Sequence, residues 1–207
     1  MTTHYTSDHH FHHRGIINLV RDEFPDLEAM HEHLIERWNS VVKPGDDVFH
    51  LGDFAFKPAH VQGIVARLNG NIHLIGGNHD PFWTGHHRET KARNALERYR
   101  GMGFASITAS GQKPHQIDGR PVLLSHLPYY GDSQRDERYS HQRPKDDGTP
   151  ILCGHVHDTW EKMYGNGKVH RGQIHVGVDA WDYLPVEEGQ VIDLLRATHP
   201  AITGGTR

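Results

Sequence analysis

The segment Leu74–Asp80 constrains the fold of this chain more than any other. It reads Leu-Ile-Gly-Gly-Asn-His-Asp, so a short apolar run stops at two glycines and passes at once into three side chains that can bind metals or protons. The apolar run is too short for a helix, which predicts a buried strand. The glycine pair lets the backbone turn tightly. The three polar residues are therefore expected at the carboxyl end of the strand, where open α/β sheets bind ligands.

Four further strand-like runs end in the same way, each passing into aspartate or histidine. They are His4–Ser7 before Asp8-His9-His10, Asp47–Leu51 before Gly52-Asp53, Pro121–Ser125 before His126, and Pro150–Cys153 before Gly154-His155-Val156-His157. A single histidine at a strand end is more often an ordinary surface or core residue. Five such endings in one chain predict one shared site.

Helices are predicted between the early strands. Apolar residues recur every three or four positions over Asp26–Val42, with Asp26 as the N-cap. A second helix is predicted over Pro58–Leu68, with proline in its first turn, and a third over Arg88–Arg100. This alternation predicts right-handed crossovers and a largely parallel sheet.

The second half of the chain is less regular. Gly103–Gln116 is ambiguous and is compatible with a strand pair. A hairpin is predicted over Thr159–Val169, turning at Gly165-Asn166-Gly167. Further strands are predicted over Gln173–Trp181 and Gly189–Leu195.

The polar segment Tyr129–Gly148 has two interpretations. It is either a solvated connection or a flexible wall over the site that helps to hold substrate. Residues 196–207 are expected to form a frayed tail. No internal repeat or linker divides the chain, so one domain over residues 1–207 is predicted.

The amino-acid composition excludes several classes of protein. The 21 histidines are interspersed rather than gathered in a tag. One cysteine excludes a disulfide framework and fits a reducing compartment. There is no apolar run of about 18 residues and no signal pattern at the N-terminus, so a soluble cytoplasmic protein without a membrane partner is expected. The net charge of −4 argues against a duplex nucleic-acid footprint. A small anionic substrate remains compatible, since bound cations supply positive charge.

The polar endings of the strands have the chemistry of a metal site. Asp8 and His10 lie two apart on a segment expected to be extended, which predicts side chains on one side, and His155 and His157 repeat the arrangement. The full set of candidate ligands has four nitrogen and three oxygen donors, too many for one tetrahedral zinc: Asp8, His10, Asp53, Asn78, His126, His155 and His157. Mixed imidazole and carboxylate donors suit two divalent ions such as manganese, iron or zinc. Asp53 is the expected bridging carboxylate.

In chain order these motifs resemble the motif series of the calcineurin-like metallophosphoesterases. The resemblance spans roughly Tyr5–His157 and is specific as a set: Asp8-x-His10, Gly52-Asp53, Gly77-Asn78-His79-Asp80, His126 and Gly154-His155-x-His157. It is closest to small single-domain members from bacteria and phages, which are similar to cyclic-nucleotide phosphodiesterases. The resemblance implies an α/β fold, a four-layer αββα sandwich with two mixed β-sheets.

The same resemblance implies two divalent ions, with manganese as the first choice and iron or zinc as alternatives. One ion would be held by Asp8, His10, Asp53 and His157. The other would be held by Asp53, Asn78, His126 and His155.

The resemblance also implies roles in catalysis. His79 would donate a proton to the leaving oxygen and contact a phosphate oxygen, while a hydroxide between the metal ions attacks phosphorus in line. Asp80 is expected to orient His79 because it is adjacent, and His13 is expected to contact phosphate. The Asp-Arg continuation of the Ser/Thr protein phosphatases is missing after Asp53, which disfavours a phosphoprotein substrate. His12 stands where this branch commonly has glycine, and it either narrows the entrance or has no effect.

The expected substrate is a small phosphodiester, first a nucleoside 2′,3′-cyclic phosphate and next a 3′,5′-cyclic nucleotide. The formal charges of two divalent ions, two carboxylates and a hydroxide leave one positive charge, which matches a diester. A nuclease, a dinucleoside polyphosphatase and a phosphomonoesterase are the alternatives, and monomer or dimer is left open.

Three rival classes fit the motif set less well. A helical HD-type phosphohydrolase would place the His79-Asp80 pair on a helix, against the strand pattern before it. A metallo-β-lactamase-like hydrolase needs His-x-His-x-Asp-His, which this sequence lacks. A catalytically inert metal-binding or scaffold protein is the alternative from outside the enzymes.

Overall fold

The computed structural model of the protein describes residues 1–86, 88–134 and 136–199. The first of its two sheets contains β1 (Thr3–Thr6), β2 (Asp47–His50), β3 (Asn71–Ile75), β4 (Ser106–Thr108) and β10 (Val186–Glu187), in the order β10-β1-β2-β3-β4. Strands β1 to β4 are parallel, and β10 pairs antiparallel with β1. This sheet carries the first three predicted strands.

The second sheet contains β5 (Gln112–Ile117), β6 (Arg120–Ser125), β7 (Ile151–Cys153), β8 (Val169–His170) and β9 (Gln173–His175), in the order β5-β6-β7-β9-β8. Its three central strands β6, β7 and β9 are parallel, and the two outer strands are antiparallel to their neighbours. Both sheets are therefore mixed.

Six α-helices complete the described part of the chain: α1 (Arg14–Val20), α2 (Leu27–Val41), α3 (Val61–Val65), α4 (Glu89–Arg100), α5 (Thr159–Tyr164) and α6 (Glu188–Thr198). Three 3₁₀ turns lie at Pro58–His60, Thr84–His86 and Val178–Ala180. Asp26 caps α2 as predicted, because its carboxylate accepts a hydrogen bond from the Ala29 amide at 2.8 Å. No helix of the described residues is long and apolar enough to cross a bilayer.

The strands alternate between two cores, as a layered fold requires. In β3, Leu74 packs with α2, α3 and α4 on one face of the first sheet, and Ile75 packs between the two sheets. In β7, Leu152 faces the space between the sheets, whereas Cys153 packs with Trp160 of α5 on the outer face. The predicted sandwich of two mixed sheets with helices outside is confirmed.

The structure corrects the predictions for the last third of the chain. The predicted hairpin over 159–169 is wrong, because α5 occupies its first half and ends at Gly165, which has a φ of 66°. The predicted strand over 189–195 is helix α6, whose Val191 and Leu195 lie one turn apart and are both buried. A short apolar run fits both periods. The capping box between Glu187 and Gln190 was the signal that favours a helix.

Four smaller differences concern the connections and the C-terminal tail. The loop predicted after the first strand contains helix α1. The ambiguous stretch 103–116 does form strands, but β4 and β5 belong to different sheets. Of the strand predicted over 173–181, only Gln173–His175 is extended. Within the predicted frayed tail, residues 196–198 end helix α6, and residues 200–207 lie outside the described residues.

Candidate metal centre

The carboxyl ends of β1, β2, β3, β6 and β7 meet at one place between the two sheets. Within the first sheet, the Asp8 amide donates to the Gly52 carbonyl and the His10 amide to the Asp53 carbonyl, each at 3.0 Å. Across the sheets, the His155 amide donates to Asp8 Oδ2 at 3.0 Å. Backbone hydrogen bonds therefore hold the polar strand endings together before any ligand binds.

Glycines make this approach sterically possible. A Cβ atom at Gly77 would collide with Asp53, and a Cβ atom at Gly154 would collide with Ser7 and with Asp8. The two carboxylates of the site are thus packed directly against backbone without a side chain, which explains the glycines at positions 77 and 154.

The first ligand cluster consists of Asp8, His10 and His157, whose ligand atoms all lie within 4.8 Å of one another. All three residues are buried. His10 Nε2 has no hydrogen-bond partner among the described residues. A buried imidazole nitrogen without a partner, facing carboxylates, has the position and chemistry of a metal ligand.

The second cluster lies on the other side of Asp53. Asp53 and His126, with Asp8, form a group whose ligand atoms lie within 4.8 Å. His126 Nδ1 donates to the Leu51 carbonyl at 2.9 Å, which leaves Nε2 as the lone-pair nitrogen. That nitrogen lies 2.9 Å from Asn78 Oδ1. The ring of His155 is 5.3 Å from the ring of His126, so Asp53, Asn78 and His155 all lie around His126.

Asp53 occupies the position between the two clusters. Its Oδ2 atom is 3.5 Å from His10 Nε2 and 3.4 Å from His126 Nε2. Burial and the charge of Asp8 raise the pKa of Asp53 well above its ordinary value. For Asp8, burial acts in the same direction, but His157, His126 and His175 together lower the pKa below its ordinary value. Two adjacent buried carboxylates are both ionised only when cations are bound between them, so the residues fit divalent metal ions.

The local geometry differs from the predicted one. Asp8 and His10 have φ values of 62° and 50°, and His155 and His157 have φ values of 72° and 49°. These residues are left-handed rather than extended, so the side chains converge for a different reason than the alternation of a strand. Non-glycine residues in this region carry strain that the surrounding structure must hold.

His79 is exposed, whereas the predicted metal ligands and Asp80 are buried. Its amide donates to Asp53 Oδ1 at 2.7 Å, and its ring centroid lies 5.2 Å from that of His10 and 5.4 Å from that of His13. Partial desolvation, with the neighbouring His13 and His126, lowers the pKa of His79 to about 4. The imidazole is therefore neutral near pH 7 and offers one N–H to an oxygen at the mouth of the site.

Asp80 is fully buried behind the metal centre. Its Oδ2 atom accepts hydrogen bonds from the amides of Gly77 and Asp53, each at 2.8 Å, and Oδ1 accepts from Phe54 at 3.3 Å. Burial and the charge of Asp53 raise the pKa of Asp80 to about 7. Its carboxylate thus joins the loops after β2 and β3, whereas the prediction had it orienting the His79 imidazole.

His13 and His12 diverge. His13 Nδ1 lies 3.2 Å from His10 Nδ1 and faces the site. The ring of His12 lies against those of His31 and His60, at 4.4 and 4.5 Å. His12, which has a φ of 61°, therefore packs away from the metal ligands.

A model of the calcineurin-like phosphoesterase superfamily domain matches residues 1–176. The chain belongs to the calcineurin-like phosphoesterase superfamily. The resemblance inferred from the motif series is thereby confirmed. The site described above lies on a fold of that family.

Relatives of this phosphoesterase occur in phages and archaea. The Gene 66 protein of Mycobacterium phage L5 is 32% identical over 206 residues, which cover 95% of each chain. An uncharacterized protein of Methanocaldococcus jannaschii is 30% identical over 192 residues, covering 91% of this chain and 88% of that one. A solved structure from Aquifex aeolicus, of a protein of unknown function, has a TM-score of 0.67 at 27% identity and covers 93% of this chain and 98% of its own.

Sequence reasoning missed the residues that hold His157 in this phosphoesterase. His157 Nδ1 donates to Asp179 Oδ2 at 2.8 Å, which leaves Nε2 for a cation. Asp179 in turn accepts from Arg21 Nε at 2.8 Å, and Arg21 also donates to the backbone carbonyls of Asp8 and His9. Neither Asp179 nor Arg21 lies in a motif, and 158 positions separate them, so no local signal joins them.

A second missed carboxylate supports His155. Asp132 Oδ2 lies 3.1 Å from His155 Nε2, which leaves Nδ1 for a cation. Arg138 and Arg143 both donate to Asp132, at 2.7 and 2.8 Å. His155 and Arg138 hold the pKa of Asp132 well below its ordinary value, against the effect of burial. The segment 129–148 therefore reaches the metal centre through a buried aspartate. Arg135, within the same segment, lies outside the described residues.

Proposed function

We propose that this phosphoesterase hydrolyses small phosphodiesters, first nucleoside 2′,3′-cyclic phosphates and next 3′,5′-cyclic nucleotides. One observation carries the proposal: Asp53 Oδ2 lies between His10 Nε2 and His126 Nε2, at 3.5 and 3.4 Å. A carboxylate in that position can be shared by two cations, and paired cations are suited to displacement at phosphorus.

We assign one divalent ion to Asp8, His10, Asp53 and His157, and the other to Asp53, Asn78, His126 and His155. Manganese is the first choice, with iron or zinc as alternatives, because the donors mix imidazole with carboxylate and amide oxygens. Bound ions of this kind lower the pKa of coordinated water and neutralise charge on phosphoryl oxygens. The balance of two divalent ions against two carboxylates supports a diester over a more highly charged monoester.

The chain's own residues bind and orient the ester. His79 lies beside the first cluster with a neutral imidazole, so its N–H can donate to a phosphate oxygen or to the leaving oxygen. His13, which borders both His10 and His79, offers a second contact to phosphate. We propose that Asp80 supports this arrangement through the backbone amides of Gly77 and Asp53, as a positioning residue.

The setting of the enzyme is proposed on the same basis. One domain over residues 1–207 acts in the cytoplasm, or in the host cytoplasm where a phage encodes the protein, as in the phage relatives. Its partner is a small nucleotide rather than a duplex or a membrane, since the chain carries a net charge of −4.

The test is a substrate panel with the metal-stripped protein reloaded with Mn²⁺. We expect kcat/KM to be higher for 2′,3′-cyclic nucleotides and an aryl phosphodiester than for the matched aryl monoester. A monoester preference above about tenfold would overturn the choice of substrate. Folded protein that binds two ions and turns over no ester would instead identify an inert metal-binding protein.

A further inference from the structure

Phe56 holds an exposed aromatic ring at the mouth of the metal centre. The residue is 48% exposed, although its backbone is fixed: the Phe56 amide donates to the Phe11 carbonyl at 2.8 Å, next to the bridge between Phe11 and Ala55. A large apolar side chain that an ordered backbone keeps exposed to solvent is typical of a ligand-binding surface.

The ring of Phe56 continues a row of rings that begins at the metal ligands. It is stacked on the imidazole of His13, with a centroid distance of 4.5 Å and an interplanar angle of 10°, and it lies 6.0 Å from the ring of His79. His13 lies 5.1 Å from the ring of His10. An apolar surface therefore adjoins the imidazole that would contact the leaving oxygen.

Among the described residues, the opposite side of the mouth offers no equivalent surface. Tyr139 lies 5.7 Å from His155, but the guanidinium of Arg138 is 5.5 Å from the centre of the tyrosine ring. Tyr139 is also less exposed than Phe56, and its ring has a second aromatic neighbour in Trp83, at 5.6 Å. Phe56 is the better platform for a flat ligand.

We propose that Phe56, backed by His13, is the stacking platform for the nucleobase of the substrate. The inference rests on the proposed function and extends it from phosphodiesters to nucleotides with a base. The ribose joins the base to the oxygen that leaves phosphorus, so a base on Phe56 keeps that oxygen beside His79. Stacking on an aromatic ring tolerates any base, because every base presents a π-face.

The test compares 2′,3′-cyclic AMP with glycerol 1,2-cyclic phosphate, a diester of the same ring size without a base. In Phe56→Ala, the ratio of the two kcat/KM values should fall about fivefold or more, and Phe56→Trp should keep it. Tyr164→Ala is the matched control, since Tyr164 is also 50% exposed and stacks on His170 at 4.1 Å and 10°. It should leave the ratio unchanged.

The proposal fails if Phe56→Ala changes the ratio by less than about twofold while the wild type hydrolyses both diesters, or if Tyr164→Ala lowers it equally. If the wild type hydrolyses neither diester, the proposed function fails by itself. Equilibrium binding to the Mn²⁺-loaded protein then decides the platform. Adenosine 3′-monophosphate should bind about fivefold or more tightly than glycerol 3-phosphate, and Phe56→Ala should remove the difference. Equal binding of the two by the wild type would overturn the inference.

Discussion

Each side of the metal centre has a histidine backed by a buried aspartate, but the two aspartates are held in different ways. Asp179 lies 2.8 Å from His157, and its ion-pair partner Arg21 is fully buried and donates to the carbonyls of Asp8 and His9. Asp132 lies 3.1 Å from His155, and its partners Arg138 and Arg143 come from its own segment.

The difference separates a fixed side of the centre from an adjustable one. Arg21 ties Asp179 to the loop after β1, so His157 is positioned by the body of the fold. The Arg138 side chain is 32% exposed, so His155 is positioned by a segment that borders water. Metal sites depend on such outer carboxylates for the orientation of their ligands, and here only one of the two is integrated into the fold.

The largest effect is expected from His79→Ala, which changes neither aspartate–histidine pair. Turnover should fall by a factor on the order of 10² to 10⁴, as for loss of a group that handles the proton. The metal content should hold, because the assigned ligands are intact. Metal analysis beside steady-state kinetics checks this, and a variant that loses metal would make His79 a ligand.

Arg21→Met tests the fixed side. Removing the guanidinium leaves the Asp179 carboxylate buried without its cation, which should cost about 3–5 kcal/mol of the free energy of unfolding. Arg143→Met, on the adjustable side, should cost less, because Arg138 still pairs with Asp132. Urea unfolding of the two metal-free variants gives both values. Equal losses would remove the distinction between the two sides.

Asp179→Asn and Asp132→Asn separate the two ions. Each substitution should weaken the ion held by the adjacent histidine by about 10- to 100-fold and leave the other ion nearly unchanged. Titration of the metal-stripped variants with Mn²⁺ resolves the two affinities. If either variant weakened both ions equally, the assignment of His157 and His155 to different ions would be wrong.

The smallest expected effect is on the stability of the metal-free protein at low pH. Arg21 and His157, acting against burial, hold the pKa of Asp179 well below its ordinary value of 3.8. Because the folded pKa is depressed, the stabilisation is complete above that ordinary value and is lost as the pH falls further. The free energy of unfolding of the metal-free protein, measured with urea, should decline below about pH 4, with a slope of up to about 1.4 kcal/mol per pH unit from this group. Asp179→Asn should flatten the slope, and so should Asp132→Asn, because the pKa of Asp132 is also held below its ordinary value. An unchanged slope in Asp179→Asn would contradict its ion pair with Arg21.

The two sides of the centre also differ in which of their residues could be predicted from the sequence. His155 and His157 were predicted as ligands because both lie in one short motif after a strand. The structure places His157 beside Asp8 and His10, and the ring of His155 lies 5.3 Å from that of His126. Their aspartates were not found, because Asp132 lies in an irregular segment and Asp179 in a 3₁₀ turn, distant in sequence from Arg21. Asp8 and His10 were predicted to converge because they would lie two apart on an extended strand. In the structure they converge because both residues have a left-handed backbone.

The sequence by itself determined the layered α/β fold, the family and the set of polar strand endings, because strands and motifs are encoded by neighbouring residues. Only the tertiary structure decided that α6 is a helix, that Asp80 joins two loops, and that Asp132 and Asp179 stand behind the histidines. These features depend on contacts between segments far apart in the chain. Burial, charge and close approach select such contacts only when the chain has folded.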